Sequence, residues 1–235
     1  MTGGLSYPTT YSWSTTVPVA RKVTTSRKEL FQIGGAFVVL TLDFVLIFSG
    51  SGLLGSGQAA YGFSLLELVL VAALTALTAF LAHELAHKVT AQRAGSWAEF
   101  RWSISGLAFS IFTAFLGFLF AAPGATVVGG MSDPDQWGRT ALAGPAVNFV
   151  FGAAFYAGSV FAWYDGSSWF VVFLVLAFYN SWFGTFNLIP AGPLDGAKVL
   201  RWTKGGWAVA IVATGALTVL CGLALFYYGT PVPHA

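Results

Sequence analysis

The chain has 235 residues, of which 56% are hydrophobic and 9% charged. That composition excludes an ordinary soluble domain and is that of a polytopic membrane protein. The net charge of +2 comes from few groups, with no basic cluster suited to nucleic acid, and the single cysteine, Cys221, excludes an intrachain disulfide or a thiolate metal site.

Residues 1–20 are rich in Ser, Thr, Tyr, Pro and Gly, and residues 1–28 read as a mobile cytoplasmic tail. They lack the short apolar stretch and small-residue cleavage site of a signal peptide. Apolar runs follow at 30–54, 64–92, 139–163, 168–189 and 206–228. Each is near or above the roughly 20 residues a helix needs to cross the hydrocarbon core. A sixth run, 104–122, is ambiguous. Lysine and arginine resolve it, because they fall in three groups: 21–28, then Lys88, Arg93, Arg101 and Arg139, then Lys198, Arg201 and Lys204. If 104–122 does not cross, every one of them lies on one face, and the segments 55–63, 164–167 and 229–235 on the other face have none. The positive-inside rule makes the basic face cytoplasmic.

Residues 102–130 are therefore expected to enter the membrane and return. The stretch from Trp102 to Thr113 partly alternates apolar with small or polar residues, which predicts strand, with a short half-helix as the alternative. Non-helical backbone at that depth must be buried in protein or line a wet cavity. The fold class expected is an α-helical polytopic membrane protein. It has about five transmembrane helices and a re-entrant β-hairpin or sheet after the second apolar run. Residues 29–230 form a single domain around a core at 64–204.

The second run holds His83-Glu84-Leu85-Ala86-His87. Histidines four apart lie one helical turn apart on one face, so both imidazoles can bind one metal ion. The glutamate after the first is placed to act as general base on water. Catalytic zinc usually takes three protein ligands. His234, in the outer tail, is a poor third, Glu99 lies just past the motif, and Asp133, Asp135 and Asp165 lie in loops. Asp195 stands out. It closes the segment from Asn187 through Pro190, Gly192 and Pro193, where the fourth run breaks. Such a break can turn a carboxylate back toward the histidines; the alternative is a helix-flanking acid beside Lys198. Depth is compatible, since His83 lies about 13 Å from the cytoplasmic end of its run at 1.5 Å per residue.

His83-Glu84-x-x-His87 with Asn187-x-x-Pro190-x-x-x-x-Asp195-Gly196 resembles the site-2 protease family of intramembrane zinc metalloproteases, and Gly144-Pro145-x-x-Asn148 resembles a third element of that family. The resemblance covers about residues 30–204. It implies a three-helix catalytic core with one zinc ion per chain, held by His83, His87 and Asp195, and with Glu84 as general base. It also implies a β-sheet dipping into the membrane after the histidine helix. Asn187 corresponds to a family residue near the zinc that positions substrate or stabilises the intermediate. As a neutral amide it is our candidate oxyanion donor. Unlike many relatives, the chain has no room for a PDZ insertion or a nucleotide-sensing domain and is expected to be a minimal core.

Asn148 is a candidate for substrate positioning or for orienting a ligand, with an interhelical hydrogen bond as the favoured alternative. Asp43, about 18 Å into the first run, is a candidate partner for a ligand histidine, or else a protonated acid bonded to a neighbouring helix. The expected activity is hydrolysis of a peptide bond in or near a transmembrane segment, to release a cytoplasmic regulator or clear a signal remnant, in a multi-pass protein of the cell membrane. The expected partners are a transmembrane protein substrate, the lipid bilayer and a regulatory membrane protein, and no nucleic acid. A substrate helix must unwind locally, and a re-entrant strand can hold the unwound segment by edge pairing. Three competing readings are weaker. A prenyl-protein type of protease needs a downstream glutamate ligand, and only Glu99 is available. A metal transporter needs polar groups across the whole membrane. A non-cleaving, protease-like binding protein has no need of Glu84.

Overall fold

A computed structural model describes residues 22–51, 53, 62–119 and 123–228. Most of the expected tail, and His234, lie outside the described residues. The described part of the tail is docked rather than free. Thr24 N–H donates to Gln92 Oε1 at 2.8 Å, and Gln92 Nε2 donates to the Thr24 carbonyl at 3.1 Å.

Helix α1, Arg27–Phe48, starts at Ser26, whose hydroxyl accepts Glu29 N–H. The second apolar run is one continuous rod of three parts: α2, Leu65–Thr75; a π-helical turn, Ala76–Leu81; and α3, Ala82–Arg93. Ser64 and Glu67 form a capping box at its start. Strand β1, Trp97–Trp102, α4, Ile104–Leu116, and strand β2, Gly124–Gly129, follow. Then come α5, Pro134–Tyr164, α6, Trp169–Asn187, α7, Asp195–Trp202, and α8, Lys204–Tyr228. Among the described residues, five helical rods are long and apolar enough to cross a membrane: α1, the rod ending in α3, α5, α6 and α8. Their outer faces carry exposed Leu66, Val150, Phe161 and Val209. Such a surface suits lipid as solvent and fits a multi-pass membrane protein. Inside, Leu40, Phe44, Leu68, Val71, Val175 and Leu176 form the core, and Cys221 is buried against it.

The expected sheet is present, but its strands flank the segment predicted to be extended. β1 and β2 pair antiparallel from Trp97 opposite Gly129 to Trp102 opposite Gly124. The stretch between them, read above as partly alternating, is helix α4. Its buried residues, Leu107, Ser110, Thr113 and Ala114, repeat with helical spacing. Ser103 caps its start, and Gly117 at φ 97° ends it in a left-handed turn. The hydroxyls of Ser110 and Thr113, which gave the stretch its alternating look, donate to the Leu107 and Ser110 carbonyls. The whole excursion starts at the end of α3 and returns to the start of α5. Those two ends are adjacent, since His87 meets Thr140.

One buried ion pair ties the excursion to α1. Lys88 Nζ lies 2.7 Å from Glu29 Oε2, with both side chains almost fully buried, and Glu29 Oε1 accepts Phe100 N–H of β1 at 2.9 Å. Lys88 thus marks the same end of the bundle as residues 22–29, as the basic groups require, while not being a free surface charge. Lys88→Met is expected to cost about 3–5 kcal/mol of unfolding free energy, because it leaves Glu29 charged and unpaired. Denaturation in detergent measures this. A loss under about 1 kcal/mol would show that the pair is not the clamp described.

Candidate metal centre

α3 presents His83 and His87 one turn apart, and both are buried. α5 comes close to them because residue 144 is glycine. A Cβ there would lie 2.6 Å from His83 Nε2 and closer still to His87 Nε2. The third group arrives by the break after α6. Pro190 and Pro193 prevent continuation of the helix, Gly192 takes φ 52°, and Gly196 packs where any Cβ would strike the Leu188 and Ile189 carbonyls. α7 then opens on Asp195. Its Oδ2 lies 3.3 Å from His83 Nε2 and 3.0 Å from His87 Nε2, which are 3.0 Å from each other. Its Oδ1 accepts from Lys198 at 3.0 Å, so the flanking-acid alternative and the convergence on the histidines are both realised, one on each oxygen.

The outward nitrogens define what the inward ones can do. His87 Nδ1 lies 2.6 Å from the Thr140 carbonyl, which can only accept, so Nδ1 carries the proton. Asn148 Nδ2 donates to the Ala79 carbonyl at 2.8 Å, which turns Asn148 Oδ1 onto His83 Nδ1 at 2.6 Å. Both imidazoles therefore present an Nε2 lone pair to the same point. This donor set, two neutral imidazoles and a carboxylate, fits zinc. At zinc–ligand distances of about 2.0–2.1 Å, neighbouring tetrahedral ligands stand about 3.3 Å apart, close to the separations seen here.

Glu84, between the two histidines, reaches β2 instead. Its Oε2 accepts Thr126 N–H at 2.7 Å and lies 2.8 Å from Thr126 Oγ1. Asn187, the last residue of α6, donates Nδ2 to the Phe183 carbonyl at 3.0 Å. His83, Glu84, His87, Asn187 and Asp195 all line one cavity of about 740 Å³, closed on one side by residues 124–128 of β2. That volume is in the range of ligand pockets.

These contacts bear on two single residues. Asn148 is both an interhelical bond and the partner of a histidine, since one amide makes both contacts. Asp43 is not in the cluster. It is fully buried beside Ser110 of the neighbouring helix α4, and the nitrogens it was expected to orient are taken by Asn148 and Thr140. Depth along the first run put Asp43 at the right height, but height does not determine which way a helix face points. Asn148→Ala is expected to weaken zinc binding about 10- to 100-fold, and Asp43→Asn to leave it unchanged. Competition against a chelator measures both, and the reverse order would refute this assignment. Three contributors escaped the sequence. Thr126 and Thr140 carry no motif. The π-turn, which places the Ala79 carbonyl that Asn148 uses, has no composition signal in Ala76–Leu81.

Comparison with known proteins agrees with the donor set. The chain is 36% identical over 152 residues, 60% of its length, to "Putative zinc metalloprotease MJ0611" of Methanocaldococcus jannaschii, and covers 75% of that protein. It is 34% identical over 139 residues to "Putative zinc metalloprotease Rip3" of Mycobacterium tuberculosis, of which it spans 31%. No protein-family model matches the chain, and no solved structure does. With three quarters of the archaeal protein matched at this identity, and two imidazoles and a carboxylate gathered at one point, the chain belongs to the family of zinc metalloproteases.

Proposed function

We propose that this protein is an intramembrane endopeptidase of the site-2 protease kind, cutting a membrane-protein substrate in or near a transmembrane segment. The observation that carries the reading is the position of the donor set. His83, His87 and Asp195 line a cavity within a bundle whose five long rods are apolar enough to cross a membrane. A peptide bond reaching that cavity would come from a segment that is itself in the bilayer.

Each residue then has a task. His83, His87 and Asp195 hold the zinc, with Asn148 and Thr140 fixing the imidazoles. Bound zinc polarises a carbonyl and makes water acidic enough to be used as a nucleophile at neutral pH. Glu84 takes the proton from water at its carboxylate and delivers it to the leaving amine. Asn187 keeps one amide N–H beyond the bond to Phe183, available to a developing oxyanion. Because a helical carbonyl is already hydrogen-bonded, the substrate must be extended at the cut. The outer edge of β2 offers main-chain groups to such a segment. The positive-inside pattern favours a cytoplasmic N-terminus and cytoplasmic access to the site, which suits release of a cytoplasmic regulator and control by a membrane partner.

The test is cleavage in proteoliposomes of a single-span reporter, tagged at both ends and carrying a Gly-Pro pair in its membrane segment, with Glu84→Gln as control. The reading expects two fragments, released by a cut at a bond within the span, from wild type only. An intact reporter in the presence of protein carrying one zinc per chain would favour the non-cleaving reading.

A further inference from the structure

Among the described residues β2 has one strand neighbour, and residues 124–128 of β2 line the cavity. The register shows which groups point there. Phe100 and Thr126 sit opposite each other. Yet Phe100 N–H donates to Glu29 Oε1, and Thr126 N–H donates to Glu84 Oε2. Neither is spent on the ladder, so this is a non-hydrogen-bonded pair. With a period of two, Gly124 and Val128 present their main-chain groups to the same outer edge. A sheet edge of this kind is a template for one more strand. At its centre, the place of an incoming carbonyl is taken by a carboxylate of the chain itself.

That carboxylate is the one assigned as general base. The hold is double, since the Thr126 hydroxyl lies within hydrogen-bond distance of both Glu84 Oε2 and the Glu84 carbonyl, at 2.8 and 2.9 Å. It has one proton and donates to one of them at a time. The opposite edge of the sheet is pinned at the same register by Glu29, which also takes Lys88, one turn beyond Glu84 on α3. The sheet is thus fixed against α3, and the Thr126–Glu84 contact is the one bond of the set that a strand entering the cavity must meet.

We propose that Glu84 occupies the substrate's place on β2 in the resting protein, and that a substrate strand pairing with β2 takes over the Thr126 N–H and releases Glu84. This rests on the protease reading above. The step exchanges hydrogen bonds only: Thr126 N–H passes from the Glu84 carboxylate to a substrate carbonyl. The general base is freed when the substrate backbone is extended and in register, so Thr126 both positions Glu84 and sets where the substrate strand pairs. Without a strand on β2, Glu84 stays bonded to the sheet and is not free to take a proton from water.

Two inactive variants separate the pieces. Glu84→Gln keeps an oxygen that can hold the Thr126 N–H, and Glu84→Ala does not. Both are slowed about a thousandfold or more, so the reporter described above stays whole over the measurement and its binding can be followed by fluorescence transfer in proteoliposomes. Zinc per chain, measured for both, shows that the site is still built. The Ala variant should bind the reporter about threefold to tenfold more tightly than the Gln variant. Its Thr126 amide should exchange rapidly with solvent deuterium alone and slowly with reporter present. Adding Thr126→Pro should abolish the gain, since proline removes the N–H at an edge position where β1 receives no bond from it. Equal binding by the Ala and Gln variants, or an amide whose exchange in the Ala variant ignores the reporter, overturns the proposal. If wild type cleaves the reporter while the variants bind equally, only the displacement step fails. If wild type leaves it intact and neither variant binds it, the protease reading fails and the displacement step falls with it.

Discussion

Glu84→Gln should lower the rate of reporter hydrolysis about a thousandfold and leave zinc binding unchanged. General acid–base catalysis is worth about 10²–10⁴ in rate, and a thousandfold corresponds to about 4 kcal/mol of lost transition-state stabilisation. Glutamine has nearly the same shape and still offers an oxygen to Thr126, so neither the sheet contact nor the position of α3 gives a reason for the loss. Only the proton-accepting carboxylate is removed. The Glu84 carboxylate is hydrogen-bonded to Thr126, and the outward nitrogens of the imidazoles belong to Asn148 and Thr140. Metal content should therefore stay at the wild-type value. The check is rate and zinc on the same preparation. A Gln variant that has lost its zinc would make Glu84 part of the metal site. One that keeps both zinc and rate would remove it from the chemistry.

Gly144→Ala should cost zinc affinity at least about as much as losing an outer hydrogen bond, that is 10- to 100-fold. This is a single methyl on a helix that carries no ligand. Its expected effect comes from where the methyl would go, against Nε2 of both His83 and His87. Those atoms are the ones that bind metal, so the imidazoles can make room only by leaving the point where they meet Asp195. α5 cannot easily retreat, because it also carries Asn148 and the Thr140 carbonyl, and both brace the same histidines. A chelator competition measured beside a melting curve decides the matter. The account requires a fall in affinity larger than any fall in stability explains. Unchanged zinc binding would show that α5 is looser than its contacts imply.

Much of this site was legible in the sequence because its chemistry is rare in its setting. Ionisable groups in apolar runs are costly unless they serve a purpose. That made His83, Glu84 and His87 conspicuous, and the Pro-Gly break made Asp195 so. Spacing alone put the histidines on one face. It could not close the distance from Asp195 to them, which depends on how the turn from Leu188 to Leu194 folds back. The excursion between α3 and α5 was read from charge placement, and its return to the same end follows from that. Its antiparallel sheet was expected as well, but the helix between the two strands was read only as the alternative to strand. In α4 the small hydroxyl residues bond to their own backbone, which makes them compatible with helix in a place where alternation suggested strand. Glu84's partner was invisible for another reason. Thr126 bonds through its main chain as well as its hydroxyl, and main-chain groups leave no mark on residue identity. Asp43 shows the converse, an unusual residue at the right depth that stands outside the cluster, beside Ser110 of α4.

The central claim is that two segments about a hundred residues apart form one zinc site. Zinc per purified chain, wild type against Asp195→Ala, tests it without knowledge of any substrate. The account predicts about one zinc in the wild type and its clear loss in the variant, with the helical content of both the same. No zinc in the wild type after purification without chelators, or full zinc in the variant, would contradict it.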